Sequence, residues 1–188
     1  GLTGMTLFIV SANTQNQIPG ASPAEQAALF WNETVYWGTV YVGPFQDRVN
    51  LRFGTTQVDN NLAYPRPVSV GSAFTMTEAI KDGTTDSLYV NGTLVLSQGG
   101  KLATIAGCQD TGNVGRGYND NTYFAGDIAE VVVYNRALTV AERQAVQLRP
   151  PVPVTRKAVE SLLWVPVMTR QAVEWERQAA PVPPMVAA

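Results

Sequence analysis

The sequence contains no histidine among its 188 residues. Histidine is the usual general base of hydrolases and a frequent metal ligand, because its side chain changes charge near neutral pH. Its absence excludes Ser-His-Asp and Cys-His catalytic arrangements and every metal site that needs an imidazole. The composition therefore argues against most hydrolases before any motif is considered.

Cysteine is almost as scarce, since Cys108 is the one cysteine in the chain. A single cysteine forms neither an internal disulfide nor a zinc cluster. Cys108 follows Gly107 in a turn-rich stretch, and no activating partner stands beside it in the sequence. We interpret it as a small packing residue, not as a nucleophile.

Long apolar runs are also missing. No stretch approaches the roughly 18 apolar residues that cross a bilayer, and no basic segment followed by an apolar one marks a signal peptide. We therefore expect no membrane insertion. The chain begins at Gly1 without an initiator methionine, so we expect the native protein to extend upstream.

Charge is sparse and nearly balanced, with 13 basic against 15 acidic side chains. Residues 1–148 hold 8 basic and 12 acidic residues, whereas 149–188 hold 5 and 3. Neither part has the basic density of a phosphate-binding surface, so we expect no nucleic-acid partner. The length favours one domain with a sizeable core, over 1–148, and a C-terminal appendage over 149–188.

The hydrophobic pattern is that of short antiparallel strands. In residues 48–53, apolar side chains alternate with Arg and Asn, which is the period of a strand with one solvated face. The other predicted strands are 5–12, 26–31, 36–42, 73–80 and 127–135. The stretches 55–72 and 107–121 are rich in turn-forming residues and are predicted to be loops.

Two local motifs sharpen this pattern. Asn91-Gly92 separates two β-rich arms within 87–96, which predicts a tight hairpin with a type I′ turn. Thr139 and Glu142 fit a capping box, which predicts a short helix over 140–147. Many short strands with one terminal helix predict an all-β, antiparallel jelly-roll sandwich.

The segment YFAGDIAEVVVYNRALTVAERQAV (123–146) resembles the closing signature of LamG and concanavalin A-like domains of bacterial and phage surface proteins. The hairpin LYVNGTLVL (88–96) is similar to the paired strands that precede it in that family. This resemblance covers roughly residues 5–148. It implies a sandwich used for sugar binding, adhesion or shaping a larger particle, with calcium in some members.

Some members of this family are glucanases with an E-x-D-x-x-E strand motif. Asp127 and Glu130 match its last two positions, but Ala125 occupies the first. A retaining glycosidase needs two carboxyl groups about 5–5.5 Å apart. Because the leading carboxylate is missing, we expect no catalytic residue and no enzyme activity, and we interpret Asp127 and Glu130 as structural.

Ligand-binding candidates follow from the turn-rich stretches. Calcium prefers carboxylate and amide oxygens, and Asp110 and Asp120 are the candidate calcium ligands, although tight turns use the same residue types. No cofactor is expected beyond that open possibility of calcium. Sugars need an aromatic platform beside polar groups. The candidate sugar-binding residues are Tyr64 and Tyr118, both predicted in loops, with Asn119 and Asp120.

The C-terminal tail, 149–188, holds seven of the 12 prolines and no glycine. Its segment TRKAVE (155–160) recurs as TRQAVE (169–174), and this repeat resembles C-terminal segments of some phage virion proteins. A plain linker would carry fewer apolar residues. We expect docking by strand addition to a sheet edge, with a helix pair packed on the domain as the alternative. The candidate docking residues are Arg156, Val159, Leu162, Leu163, Trp164, Arg170, Val173 and Trp175.

These features define two functional hypotheses. The first is a non-catalytic structural or attachment protein of a large extracellular assembly. Its leading form is a phage virion component, for capsid decoration or in the tail, whose C-terminal segment docks onto other subunits of the same homo-oligomer or particle. The alternative is a secreted or cell-surface carbohydrate-binding module with a glycan as partner.

Overall fold

A computed structural model describes residues 1–33, 38–55, 62–66, 73–106, 108–118 and 123–148. The C-terminal tail lies outside these residues. Within them, no helix is long and apolar enough to cross a membrane.

The described residues form two five-stranded antiparallel sheets and one helix. The elements are β1 (Gly4–Asn13), β2 (Leu29–Glu33), β3 (Gly38–Pro44), β4 (Arg48–Thr55), β5 (Leu62–Pro65), β6 (Thr75–Asp82), β7 (Thr85–Val90), β8 (Thr93–Gln98), β9 (Cys108–Val114), β10 (Gly126–Tyr134) and α1 (Val140–Gln147). The first sheet has the order β10-β1-β6-β7-β8 and the second has the order β5-β4-β3-β2-β9. The predicted all-β sandwich with one short helix is confirmed.

The core lies between the sheets and follows from the alternation along each strand. In β4, Val49, Leu51 and Phe53 are completely buried in the core, as their spacing predicts. Leu7 and Ile9 of β1 enter the same cluster from the first sheet. The polar residues of β4 therefore lie on the outer face of the second sheet.

The predicted hairpin is confirmed in its turn geometry. Asn91 has φ 48° and Gly92 has φ 78°, the left-handed conformations that asparagine and glycine tolerate best. The Met76 amide donates a hydrogen bond of 2.9 Å to Asn91 Oδ1. The turn is thus tied to the neighbouring strand β6 as well as to its own arms.

The capping box of α1 is also confirmed. The Glu142 amide donates to Thr139 Oγ1 at 3.3 Å, and the Thr139 amide donates to Glu142 Oε2 at 2.9 Å. Arg143 connects the helix to the first sheet, because its Nη1 donates a hydrogen bond of 3.0 Å to the buried carboxylate of Glu78 in β6. The Arg143 guanidinium also lies over the Tyr89 ring, 3.9 Å from its centroid.

Two strands contradict the sequence-based prediction. β5 lies inside the predicted loop 55–72, and β9 lies inside the predicted loop 107–121. Both are edge strands of the second sheet and contain turn formers such as Pro65 and Gly112. Both segments adopt the strand conformation because neighbouring strands supply their hydrogen-bond partners. A local sequence pattern does not reveal these partners.

The Arg143–Glu78 contact predicts a large effect of one substitution. Arg143→Ala leaves the fully buried Glu78 carboxylate without its cation, and breaking such a pair costs about 3–5 kcal/mol of unfolding free energy. Urea unfolding measures the loss. Gln144→Ala, at an exposed position of the same helix, is the matched control and should change little; equal effects of the two variants would contradict the prediction.

Candidate functional site

The segment between β1 and β2, residues 14–28, covers the outer face of the second sheet; we call it the covering segment. Its Ala24 and Ala27 pack on Phe30 and Tyr41, which are each only 1% exposed although they point away from the core. The Ala28 amide donates to the Val42 carbonyl at 2.9 Å. The small alanine side chains allow this close approach, so the outer face is a packed layer, not an open sheet.

A polar group lies beneath this layer. Arg52 Nε donates to Thr39 Oγ1 at 2.8 Å, and the Arg52 guanidinium carbon lies 5.4 Å from the Tyr41 ring centroid. The Tyr41 hydroxyl makes no hydrogen bond within the described part of the chain. Burial raises the pKa of Tyr41, and the nearby Arg52 charge offsets only part of that rise. The phenol is therefore neutral.

Tyr118 contacts the covering segment near its C-terminal end, at Glu25. It follows β9, an edge strand of the second sheet. Its hydroxyl donates a hydrogen bond of 2.6 Å to Glu25 Oε1, and its ring centroid lies 6.0 Å from that of Phe30. The hydrogen bond to Glu25, followed by burial, raises the pKa of Tyr118. The residue is nevertheless 47% exposed, so Tyr118 presents part of its side chain to solvent from a fixed position.

The backbone beside Tyr118 is in direct contact with the covering segment. The Gly117 amide donates to the Glu25 carbonyl at 3.1 Å. A Cβ atom at residue 117 would lie 2.0 Å from the Ala24 carbonyl oxygen and 2.1 Å from that of Glu25. Only glycine fits this approach, and it sets the position of the next residue, Tyr118.

The strand bridge between Arg116 and Tyr123 brings a second tyrosine to the same region. Tyr123 is 60% exposed. We call Glu25, Arg116, Tyr118 and Tyr123 the Tyr118 surface. It combines exposed rings, a carboxylate and a guanidinium, which are the groups that hold a sugar by stacking and hydrogen bonds.

A cleft of about 450 Å³ lies at the opposite end of the covering segment, between residues 16–20 and the turn that joins β3 to β4. Asp47, in this turn, and Arg48, the first residue of β4, form one wall. This cleft and the Tyr118 surface share no residue.

The structure places the predicted ligand-binding residues apart from one another. Tyr118 lies in a loop, as predicted. Tyr64 does not: it lies in β5 opposite Val49 and packs against the core, so its predicted loop position is wrong. Asn119 and Asp120 lie outside the described residues, and their predicted roles stay predictions.

Asp110 lies in β9 instead of the predicted loop, and only its backbone belongs to the described part of the chain. Within that part, no three acidic or cysteine side chains are close enough together to hold a metal ion. The calcium site at Asp110 and Asp120 therefore stays a prediction. The eight candidate docking residues of the tail all lie outside the described residues.

Asp127 and Glu130 are both exposed residues of β10. They pair with Ala12 and Val10 of β1, which places both residues on an edge strand of the first sheet. Their interpretation as structural residues stays a prediction. The absence of catalysis stays a prediction.

Sequence reasoning missed the partners of Tyr118. Glu25 stands 93 positions before Tyr118, and Arg116 and Tyr123 meet only through an isolated bridge. The one signal available in the sequence was Gly117 beside an aromatic residue. A glycine at this position indicates that another part of the backbone comes close, but it does not show which segment of the chain does so.

Comparison with known families identifies the class of this sandwich. A laminin G family model, described as the concanavalin A-like lectin/glucanases superfamily, matches residues 18–142. The chain therefore belongs to this superfamily, and the resemblance inferred from the closing signature is confirmed. No curated protein sequence matches the chain.

Solved structures share the fold at low sequence identity. The CBM40 of the Ruminococcus gnavus IT-sialidase, bound to α2,3 sialyllactose, has a TM-score of 0.60 and 21% identity over 78% of this chain and 84% of its own. A K499G mutant of the NanB sialidase of Streptococcus pneumoniae has a TM-score of 0.58 and 16% identity over 80% of this chain and 24% of its own. These likenesses establish the sandwich fold.

The contact at Gly117 predicts the outcome of a small substitution. Gly117→Ala inserts a methyl group against two carbonyl oxygens, which should cost about 1–3 kcal/mol of unfolding free energy as overpacking does, and should displace Tyr118. Gly99→Ala is the matched control, because nothing lies within 4 Å of a Cβ at residue 99. Urea unfolding of both variants tests this; equal stability of the two would show that the loop yields freely.

Proposed function

We propose that this protein is a non-catalytic carbohydrate-binding module of the concanavalin A-like superfamily. The observation that carries the proposal is Tyr118, whose side chain is held by Glu25 and Phe30 although the residue is 47% exposed. Because the hydrogen bond to Glu25 and the contact with Phe30 hold Tyr118 in place before a ligand arrives, binding to it costs less conformational entropy than binding to a mobile side chain.

A pyranose ring has an apolar face of C–H groups and an edge of hydroxyl groups. The face stacks on Tyr118, and the exposed Tyr123 ring extends the apolar area. Glu25 accepts hydrogen bonds from sugar hydroxyls, while Arg116 donates to hydroxyls or to a ligand carboxylate. This arrangement binds a sugar without a metal ion or an enzymatic step.

Sialyllactose is the first ligand to test. Two of the similar sandwiches are CBM40 structures of the Ruminococcus gnavus IT-sialidase bound to α2,3 and α2,6 sialyllactose. The two exposed tyrosines of the Tyr118 surface offer such a glycan a stacking platform, and Arg116 and Glu25 offer it a hydrogen-bond donor and an acceptor. With this role we expect a secreted or cell-surface protein.

The virion hypothesis has less support. The matched family is described by lectins and glucanases, and the similar structures named above come from sialidases. The phage resemblance rests on the tail repeat, which lies outside the described residues. Its docking onto neighbouring subunits stays a prediction, as does the association of this chain into an oligomer or particle.

Substitution of Tyr118 tests the proposed site. Tyr118→Ala should weaken binding of sialyllactose at least about tenfold, a loss of about 1.4 kcal/mol, because the stacking surface is removed. Tyr118→Phe keeps the ring and loses only the hydrogen bond to Glu25, so it should bind more tightly than the alanine variant. Isothermal titration calorimetry with sialyllactose, preceded by a glycan array, gives the affinities.

Phe74→Ala is the control for the Tyr118 series. Phe74 is 55% exposed and precedes β6 in the first sheet, so its removal takes away a comparable exposed ring elsewhere. Its affinity should equal that of the unaltered protein. If the full chain bound no glycan of the array, the carbohydrate-binding proposal would be overturned. If Tyr118→Ala bound sialyllactose with normal affinity, the placement of the site at Tyr118 would be wrong, but the proposal of a carbohydrate-binding module would stand.

Removal of 149–188 separates the two functional hypotheses. Every residue of the described core and of the Tyr118 surface precedes this tail, so the shortened protein should bind sialyllactose with unchanged affinity. If the tail docks on other subunits, the full chain should form larger species in light scattering that the shortened chain does not. A shortened chain that lost sugar binding while remaining folded by circular dichroism would contradict the prediction.

A further inference from the structure

The cleft between residues 16–20 and the turn after β3 has the features of a second ligand site. Its volume of about 450 Å³ falls in the range of roughly 300–1,000 Å³ that small-molecule sites occupy. Its lining comes from two separate parts of the chain, residues 16–20 and the pair Asp47 and Arg48.

Hydrogen bonds hold the two walls in a fixed relation. The Gln46 amide donates to the Gln15 carbonyl at 3.1 Å, and the Gln17 amide donates to Asp47 Oδ1 at 3.0 Å. Asn50 Nδ2, on the outer face of β4, donates to Gln17 Oε1 at 3.0 Å. The cleft is therefore formed before any ligand arrives, which reduces the entropy lost on binding.

One wall offers donors and acceptors side by side. Asp47 Oδ2 accepts a hydrogen bond of 2.8 Å from Arg48 Nε. Burial acts to raise the pKa of Asp47, but the Gln17 amide and Arg48 outweigh it and hold the pKa below its usual value. The two side chains remain 28% and 46% exposed, so an ionised carboxylate and a guanidinium both reach solvent in the cleft.

The other wall is apolar at its centre. Ile18 is 42% exposed, and the neighbouring Pro19 is exposed as well. Asn16, also exposed, adds an amide that both donates and accepts. The lining thus combines an apolar patch with a hydrogen-bonding pair, and the charges of Asp47 and Arg48 compensate each other.

We infer that this cleft binds a neutral pyranose unit of a glycan, as a second site separate from the Tyr118 surface. Adjacent sugar hydroxyls donate to the Asp47 carboxylate and accept from Arg48, while the C–H face lies on Ile18. A lining without net charge does not favour an ion over a neutral sugar. The inference rests on the proposed function, since it extends glycan binding to a second surface.

Nuclear magnetic resonance of the full chain with lactose as the probe tests the inference. Backbone amide signals of Gly20 and Arg48 report on the cleft, and those of Gly117 and Tyr118 report on the other surface. Lactose should shift the cleft signals saturably. Arg48→Ala and Asn16→Ala should each raise the dissociation constant for this site about tenfold.

The controls separate the two sites and guard against misfolding. Arg136→Ala removes another exposed arginine that pairs with a carboxylate, that of Glu142, and should leave the cleft signals unchanged. Asn16 makes none of the hydrogen bonds that join the walls, so Asn16→Ala tests recognition without disturbing them. Unshifted reference spectra of the variants show that the fold is intact.

The outcomes distinguish this inference from the proposed function. Saturable cleft shifts that persist in Tyr118→Ala and weaken in Asn16→Ala support the second site, even if the Tyr118 surface binds nothing. Shifts confined to Gly117 and Tyr118 overturn the second site and leave the proposed function standing. Absence of any shift with lactose also overturns the cleft as a neutral-sugar site, whereas sialyllactose binding at Tyr118 remains a separate result.

Discussion

The covering segment, residues 14–28, packs on the outer face of the second sheet, and both candidate surfaces depend on that contact. Ala24 and Ala27 bury Phe30 and Tyr41, which would otherwise expose a large aromatic patch. The contact converts a two-layer sandwich into one with a third, partial layer. One end of the segment forms the cleft and the other end holds Tyr118 through Glu25.

Two buried ion pairs constrain the first sheet and its helix. Lys81 and Asp86 form an ion pair of 3.2 Å between β6 and β7, with side chains 0% and 1% exposed, and Glu78 pairs with Arg143 beneath α1. Burying such pairs gains little net energy, but leaving one member alone is costly. They therefore favour the observed strand register and helix position over alternatives that would separate the partners.

The fold was more predictable than the site, and particular residues show why. Strand β4 and the Asn91-Gly92 turn depend on local alternation and local backbone conformation, so the sequence predicts both. Tyr118 was predictable as an exposed loop aromatic. Its fixed position depends on contacts with Glu25 and Phe30, which are distant in sequence. The cleft depends on a turn and a segment that meet only in the folded chain.

The sequence by itself determined the class of this protein. Period-two alternation along single strands predicted an all-β sandwich, and the closing signature resembled that of concanavalin A-like domains. The absence of histidine excluded catalysis by an imidazole, because it is a property of composition alone. The tertiary structure decided which of the candidate side chains are exposed and which pack against the core. Tyr64 was drawn onto the core by its pairing with Val49, whereas Tyr118 stayed exposed because Gly117 brings its backbone against the Glu25 carbonyl. Such contacts join distant segments, so they arise only when the two sheets and the covering segment pack together.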